Sequence, residues 1–448
     1  MVIHPIDYRY GSEEMRRIFE EEARLQRFLD VEAALARAHA AVGSISKAEA
    51  GEITRKASTE YVKLSRVKEI EAAIKHDLMA VVEALAEACG GAGRHVHFGA
   101  TSYDIVDTAN ALQFKAALRI IKRDLYEVEG VLLTLAEKHK GLVAVGRTHG
   151  QHATPITYGL KFALWAREVR RHLRRLEEAE KRVLVGKMSG AVGTQASFGD
   201  KGMDIQEMVM RDLGLKAVMV SSQVVQRDRY AELLMLLALI AASCDKIAKE
   251  IRNLMRTEIG EVSEPFGKEQ VGSSTMPHKR NPIESEKVCG LARAVKSNVF
   301  VAMENVSLEH ERDLTNSSCE RVIITESFIL LDEILKTLKT VLKGLVLYPK
   351  HIKENLELTK GLNMAEAAML ALVAEGMPRQ EAHRLIRKLS AEAYTKKKEL
   401  SAVLKDNKEI SKLLDKETIE EILTPEKYIG TAVKQVEKVL RVAREERK

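Results

Sequence analysis

Apolar residues recur at helical spacing along most of the 448-residue chain, and the pattern runs without interruption over long stretches. It predicts long helices at 107–138, 157–185, 228–256, 283–303 and 320–345. Each is well above the length of about 11 or 12 residues that is usual for a globular helix. Helix formers dominate the composition and there are only eight prolines, which leaves little room for strands. We therefore predict an all-α fold built on a bundle of long helices.

Glycine- and proline-bearing breaks divide this pattern into three zones. Shorter helices fill 1–101, the long helices fill 102–349, and shorter helices return in 350–448, so we predict three domains with these boundaries. Several of the histidines lie in or beside the breaks. Loops and helix ends at one level of a bundle can converge on a site, particularly if subunits pair.

Composition narrows the function classes. Apolar residues make up 45% and charged residues 30%, the balance of a soluble globular protein. The longest apolar run, 233–242, is shorter than the roughly 18 residues of a spanning helix, and no signal-peptide pattern precedes the first helices. We expect a cytoplasmic protein with no membrane partner. A net charge of +6 spread along the chain favours a small polyanionic ligand at least as much as nucleic acid. The four cysteines are widely spaced and form no metal-binding pair, so we expect no metal and no cofactor.

The segment 145–155, "VGRTHGQHATP", places His149 and His152 ahead of a predicted helix. A histidine can donate a proton to a departing nitrogen near neutral pH, because its ordinary pKa lies there. A plain loop residue is an equally open interpretation. A metal site is less favoured, since the sequence lacks an HExxH pattern.

Two further segments place polar side chains near helices. His76 and Asp77 in "KHD" are expected inside a helix, where His76 could be only a half-buried core residue. Thr101 and Ser102 in "FGATSYD" are expected in a turn before a helix that Asp104 could cap. Hydroxyls and N–H groups at a helix start can bind an anion, but they can equally be caps alone.

In "EHERDLTNSSCER", Arg312 and Arg321 flank a hydroxyl-rich stretch that includes Ser317. Charged residues at helical spacing usually form a solvated face. Paired arginines beside hydroxyls also suit bidentate capture of a carboxylate or phosphate.

The segment 272–282, "GSSTMPHKRNP", combines hydroxyls, basic side chains and two prolines. A serine needs nearby positive charge and aligned N–H donors to act as a base. Lys279, Arg280 and the turn at Gly272 could supply both, and the prolines prevent helix and favour a loop that closes over substrate. The segment is no Walker loop.

Together, "FGATSYDIVDTA", "GRTHGQHATPITYG" and "GSSTMPHKRNP" resemble, in order and spacing, the three signature regions of the fumarase and aspartase superfamily. Over essentially the whole chain, "YRYGS", "KHD", "SSQVVQRDR" and "EHERDLTNSSCER" are similar to the adenylosuccinate lyase family within it. The resemblance implies the three-domain superfamily lyase fold, in a homotetramer whose long helices form a central core and whose active sites are shared between subunits.

The resemblance also implies a β-elimination of fumarate in purine biosynthesis. Adenylosuccinate would give AMP, and succinyl-aminoimidazole carboxamide ribotide would give the carboxamide ribotide. Ser273 is the implied base and His149 the implied acid, with His76 assisting. Lys279 and Asn281 would hold the succinyl carboxylates beside Thr101, Ser102 and Gln223. The remaining implied substrate-binding residues, mostly for the phosphate, are Arg9, Tyr10, Lys75, Asp77, Arg312, Ser317 and Arg321.

Two positions depart from the common pattern, and alternatives stay open. Tyr103 stands where many relatives have a smaller polar residue, and Gln195 stands where an aromatic residue or histidine is frequent. Either could alter how the substrate is held at the edge of the site. The alternatives are another superfamily lyase, such as argininosuccinate lyase or a fumarase-like enzyme, and a non-catalytic crystallin-like protein. The basic, hydroxyl-rich segments favour a substrate that carries phosphate.

Overall fold

The computed structural model describes residues 4–267, 269–270 and 272–446. Its α-helices are α1 (Pro5–Tyr8), α2 (Glu13–Phe19), α3 (Glu21–Ala41), α4 (Lys47–Lys56), α5 (Leu64–Ile74), α6 (Asp77–Cys89), α7 (Ser102–Lys138), α8 (Tyr158–Val183), α9 (Gly202–Asp212), α10 (Asp228–Leu254), α11 (Ile283–Glu304), α12 (Thr315–Lys343), α13 (Pro349–Glu357), α14 (Ala365–Ala374), α15 (Arg379–Lys396), α16 (Leu400–Lys405), α17 (Lys416–Ile422) and α18 (Ala432–Glu445). Short 3₁₀ turns lie at Gly90–His95, Ala196–Lys201, Leu362–Met364, Ile410–Lys412 and Pro425–Lys427. The strands are β1 (Val143–Thr148), β2 (Gln151–Thr157), β3 (Val185–Gly186), β4 (Lys216–Ala217), β5 (Val262–Ser263) and β6 (Val346–Leu347).

The long helices lie where the apolar pattern predicts them, and the all-α prediction is confirmed. The largest differences are at two N-terminal ends, where α7 and α12 each begin five residues earlier than predicted. The Asp313 carboxylate accepts the backbone N–H of Thr315 at 2.7 Å, so the chain enters α12 before the hydroxyl-rich stretch. That stretch is therefore helical and not a loop between two arginines.

The segment expected to be a loop before α8 is instead a β-hairpin. Strands β1 and β2 pair antiparallel around a two-residue turn, His149 and Gly150, which both have positive φ. Turns with two positive φ values match the twist of paired strands. The pairing shifts register between Val145 and Arg147, and Pro155 lies opposite that irregularity, a position at which proline is tolerated in a sheet.

Packing divides the chain into two compact units. The first unit comprises the described residues up to Tyr126, Arg171–Asp245 and Lys287–Thr337. The second unit comprises Glu127–Arg170, Lys246–Glu286 and the described residues from Leu338 onward. The three domain boundaries expected from the sequence stay a prediction.

Within the first unit, helices α3, α4, α5, α6 and α9 and the start of α7 share one apolar core. Leu29, Leu35, Ile53, Leu85 and Ile205 lie at its fully buried centre. Burial of such side chains is worth about 1.5–3 kcal/mol each before entropy is counted. This core fixes the two helix starts, those of α6 and α7, that carry polar side chains expected in the site.

The C-terminal part of the second unit has a separate apolar core. Leu372, Ile386, Leu404 and Ile419 bring α14, α15, α16 and α17 together there. Among the residues that the structure describes, no helix is long and apolar enough to cross a membrane.

Candidate active site

A cavity of about 540 Å³ in the first unit brings together most of the predicted substrate-binding residues. It is strongly polar. Its predicted members are Lys75, His76, Asp77, Thr101, Ser102, Gln223, Arg312, Ser317 and Arg321. Glu71, Tyr103, Val106 and Leu314 complete the lining.

The "KHD" segment is a sharp junction between α5 and α6, not the interior of one helix. Lys75 ends α5 in the left-handed conformation, with φ of 57°. His76 is the N-cap of α6, and its Nδ1 accepts the backbone N–H of Met79 at 3.3 Å. With Nδ1 used as an acceptor, this network assigns the proton of a neutral His76 ring to Nε2. His76 is therefore an exposed capping residue with a donor to spare, and not a core histidine.

Thr101 and Ser102 lie at the start of α7, as the glycine-led turn predicts. Asp104 does not occupy the cap itself but lies in the first helical turn, where its carboxylate accepts the N–H of Thr101 at 2.8 Å. This buried carboxylate also accepts the N–H groups of Ser189 and Gly190, at 2.8 and 3.1 Å. These three hydrogen bonds fix the start of α7 from the protein interior. Thr101 and Ser102 line the cavity, as an anion site requires.

The Arg312 guanidinium has one hydrogen-bonded nitrogen and two nitrogens without a partner among the described residues. Its plane stacks on the ring of Tyr103, 3.5 Å from the centroid, and its Nη1 donates to Gln223 Oε1 at 3.0 Å. Its Nε and Nη2 are buried and have no hydrogen-bond partner among the described residues. In Arg227 the same two atoms hold both carboxylate oxygens of Glu320, at 2.8 and 3.1 Å. An unmet pair of buried donors is costly, so a ligand oxyanion or ordered water is expected to complete it.

Ser317 and Arg321 are four residues apart on α12 and therefore share one face of the helix. Tyr103 donates its hydroxyl to Ser317 at 3.1 Å, and Arg321 donates to Asp77 at 2.6 Å. Burial raises the pKa of Asp77, but the N–H of Leu78 and the charge of Arg321 outweigh burial, so the net pKa is lowered. The Asp77 carboxylate thus stays ionised and orients Arg321.

Arg24 is a residue that sequence reasoning missed. It lines a small cavity of about 60 Å³ that shares Tyr103, Ser317 and Arg321 with the larger one. Burial lowers the pKa of Arg24, with a further lowering by Arg321, and its buried Nε has no partner among the described residues. It is one more basic residue in an acidic helix start, "FEEEARLQ", so no local pattern separates it from a solvated charge.

Arg9 and Tyr10 belong to the same unit but do not line the cavity. They follow α1, with the Arg9 guanidinium 6.0 Å from the Tyr10 ring and the Tyr10 carbonyl accepting from Arg16 at 3.2 Å. Their predicted role in phosphate binding stays a prediction.

His149 lies in the second unit, exposed at the tip of the β1–β2 hairpin. Close to its turn, the hairpin is held by Arg147, which donates to the buried carboxylate of Glu261 at 2.5 Å, and Asn355 donates to the same carboxylate at 2.9 Å. A rigid hairpin that presents a histidine at its tip suits proton transfer to a ligand. The turn dipeptide, a glycine after a residue that tolerates positive φ, was the local signal for this hairpin.

The segment 272–282 also lies in the second unit, and Ser273 has the surroundings that a base needs. Its Oγ accepts the backbone N–H groups of Met276 at 3.1 Å and Thr275 at 3.4 Å. Two N–H dipoles aimed at one oxygen would stabilise negative charge on it. Gly272 cannot be replaced without a rearrangement, because a Cβ there would lie 2.2 Å from the carbonyl oxygen of Lys279.

Lys279 and Asn281 line a basic cavity of about 770 Å³ in the second unit. Asn281 also donates to the carbonyl of Gly272 at 3.1 Å, which ties the end of the segment to its start. The other charged or titratable lining residues are Lys249, Arg252, Arg256, His278, Arg280 and Glu286. Such a basic lining suits a dicarboxylate. In the part of the chain that the structure describes, no group of three or more His, Cys, Asp or Glu side chains could hold a metal ion.

Comparisons with protein families and with known proteins show the family to which the chain belongs. The family described as "Lyase" matches residues 7–296, and the family described as "Adenylosuccinate lyase C-terminus" matches residues 361–439. The adenylosuccinate lyase of Pyrococcus horikoshii is 60% identical over 445 residues, 99% of each chain. That of Methanocaldococcus jannaschii is 52% identical over 443 residues, 98% of this chain and 96% of its own.

Solved structures of the same superfamily share the fold. A fumarate lyase from Mesorhizobium sp. BNC1 superposes with a TM-score of 0.89 at 34% identity, covering 96% of this chain and 98% of its own. A 3-carboxy-cis,cis-muconate lactonizing enzyme from Pseudomonas putida gives 0.89 at 33% identity, covering 98% and 99%. The family prediction from the sequence is therefore confirmed: this chain belongs to the adenylosuccinate lyase family of the fumarase/aspartase superfamily and is a carbon–nitrogen lyase of purine biosynthesis.

Proposed function

We propose that this protein cleaves adenylosuccinate to AMP and fumarate, and succinyl-aminoimidazole carboxamide ribotide to the carboxamide ribotide and fumarate. The observation that carries the proposal is the open pair of donors on Arg312, in a cavity that also holds Ser317 and Arg321. A phosphate monoester supplies the oxygen acceptors that this arrangement lacks. Both substrates carry that group.

Ser273 is the proposed base. Its alkoxide, supported by the N–H groups of Thr275 and Met276, would take the Cβ proton of the succinyl group. The electrons of that C–H bond would pass into the adjacent carboxylate and give an aci-carboxylate carbanion. Lys279 and Asn281 would hold the succinyl carboxylates and stabilise this charge as it forms.

His149 is the proposed general acid. Collapse of the carbanion breaks the C–N bond, and the bonding pair leaves with the nitrogen, which takes the proton of His149. His76 would donate from Nε2 to the substrate, since its Nδ1 is already used as an acceptor. The remaining proposed contacts, to the carboxylates and the nucleotide, come from Arg9, Tyr10, Lys75, Asp77, Thr101, Ser102 and Gln223.

We propose further that the enzyme is a homotetramer in which different copies of the chain complete each site. Large apolar side chains on the long helices support association, since Phe300 is 70% exposed, Val322 58% and Met303 51%. Isolated exposed apolar residues are ordinary, but several on neighbouring long helices are typical of an interface. Mixing inactive Ser273→Ala and His149→Ala proteins tests this, since hybrid tetramers should regain part of the activity. Absence of any recovery after dissociation and reassociation would count against shared sites.

The substrate assay tests the chemistry directly. Purified protein incubated with adenylosuccinate should release fumarate and AMP, detected together by mass spectrometry. Turnover of argininosuccinate without turnover of adenylosuccinate would show that the substrate is wrongly assigned within the superfamily. Turnover of neither, in folded protein, would favour a non-catalytic role.

A further inference from the structure

Tyr103 lines the cavity and contacts two of the proposed phosphate-binding residues. It lies in the first turn of α7, directly after Thr101 and Ser102, and is only 8% exposed. Its ring supports the Arg312 guanidinium at 3.5 Å, and its hydroxyl donates to Ser317 at 3.1 Å. Tyr103 therefore contacts Arg312 and Ser317, two of the three residues on or just before α12 that are proposed to bind the phosphate.

The stacking restrains Arg312 in a way that leaves its open donors in place. A guanidinium that has one face on an aromatic ring and Nη1 on Gln223 cannot rotate freely about its long side chain. The two remaining donors, Nε and Nη2, are the ones without a partner among the described residues. Preorganised donors bind an anion more tightly than flexible ones, because less side-chain entropy is lost on binding.

The ring of Tyr103 also lies beside a buried ion cluster. Arg227 lies 5.7 Å from the ring centroid and pairs with Asp107 and Glu320. The pKa of the Tyr103 phenol is raised, first by burial, so the hydroxyl stays protonated and can keep donating to Ser317. The support for Arg312 is thus part of the buried framework of the first unit.

Tyr103 also separates two spaces. It lines both the cavity of about 540 Å³ and the cavity of about 60 Å³ beyond it, as do Ser317 and Arg321. A serine at this position would remove the ring from the wall between them. The larger cavity would then open toward Arg24.

We propose that Tyr103 is a positioning and specificity residue for the phosphate of the substrate, which it favours by fixing Arg312 and Ser317 and by closing off the space behind them. This inference rests on the proposed nucleotide substrate. It predicts that the protein discriminates between a nucleotide and its nucleoside through Tyr103, in addition to the residues that touch the phosphate.

The test compares Tyr103→Ser and Tyr103→Phe with the wild type, using AMP and adenosine as probes in calorimetric titrations. Tyr103→Ser should weaken AMP binding by about 10-fold or more, from loss of the stacking and the hydrogen bond, and change adenosine binding by less than about 2-fold. Tyr103→Phe keeps the ring and should weaken AMP binding by only about 2- to 5-fold. For adenylosuccinate, KM should rise in Tyr103→Phe and rise further in Tyr103→Ser, while kcat changes little in both variants. Tyr394→Ser, which removes a 76% exposed tyrosine, is the control and should match the wild type.

Equal losses for AMP and adenosine in Tyr103→Ser would show a merely structural role and overturn the inference. An unchanged preference for AMP in both variants would overturn it as well. If Tyr103→Ser does not fold, Tyr103→Phe still decides, because loss of the hydroxyl alone must reduce the AMP preference. Wild-type protein that binds AMP no better than adenosine contradicts the inference even if adenylosuccinate is cleaved, whereas AMP binding without cleavage contradicts only the proposed function.

Discussion

The cavity of the first unit and the segment 272–282 of the second unit carry different parts of the proposed chemistry, and they are built in opposite ways. In the cavity, Arg312 and Arg321 are held by stacking and by an ion pair on a buried framework. In the segment, residues 274–280 are exposed and the described hydrogen bonds of Ser273 and Asn281 are local. A preset framework suits binding, while a segment held by few bonds can change conformation at little cost when substrate arrives.

The largest expected effect comes from the segment and leaves stability untouched. Ser273→Ala should lower kcat by about 10³-fold or more, within the range for loss of a general base, since no other described hydroxyl of this segment accepts a pair of backbone N–H groups. Fumarate release under saturating adenylosuccinate measures it, and thermal unfolding should not change. Ser274→Ala is the matched control and should stay within about 3-fold of the wild type. A reversed result would move the base to Ser274.

A substitution in the buried cluster of Arg227, Asp107 and Glu320 should have the opposite effect, a large loss of stability. Arg227→Gln leaves the carboxylates of Asp107 and Glu320 buried without their cation, which costs about 3–5 kcal/mol. Denaturant unfolding at one fixed protein concentration measures the free energy of unfolding. Arg211→Gln, which changes an exposed arginine on α9 of the same unit, is the control and should stay within about 0.5 kcal/mol of the wild type. If Arg227→Gln were equally mild, the buried cluster would not be the support described above.

Arg312 provides the direct contrast with Arg227, because its fork is open. Arg312→Gln should raise KM for adenylosuccinate by about 10- to 100-fold, the value of a lost charge-assisted bidentate contact, with a small change in unfolding. Arg312→Lys keeps the charge but not the fork, so an intermediate KM is expected. Steady-state kinetics of the two variants check both values. Equal KM for lysine and wild type would mean that charge alone binds the substrate.

The sequence predicted the long helices because their apolar pattern exceeds ordinary helix length, and it missed the hairpin because its two strands do not alternate apolar and polar residues. The signals at His149, a glycine after a residue that tolerates positive φ, are weak unless pairing is already suspected. The start of α12 was misplaced because the Asp313 cap depends on one side-chain rotamer.

For the site, the motif residues could be named from sequence, but their mutual support could not. That Asp77 orients Arg321, or that Tyr103 lies under Arg312, depends on contacts across more than two hundred residues of chain. Such contacts have no local periodicity from which to read them. Arg24 shows the same limit, because only the fold distinguishes it from the surface charges around it.

The smallest expected effect lies behind the start of α7, in the buried pair of His97 and Glu32. His97 donates from Nδ1 to Glu32 at 2.6 Å and from its backbone N–H at 3.0 Å, which fixes the turn that leads to Thr101. Burial lowers the pKa of His97, but the carboxylate of Glu32 outweighs burial, so the pKa is raised in the folded protein. A raised histidine pKa stabilises the fold fully below the unfolded value of about 6.5, and this contribution is lost as pH rises through the folded pKa.

Glu32→Gln should therefore lower the free energy of unfolding by on the order of 1–2 kcal/mol at pH 5.5 and by less at pH 9, measured by denaturant unfolding. Glu13→Gln, which changes an exposed carboxylate, should show no such dependence. A difference between wild type and Glu32→Gln that grew with pH would mean that His97 is neutral in the fold, and that the turn before α7 is held by hydrogen bonds without charge.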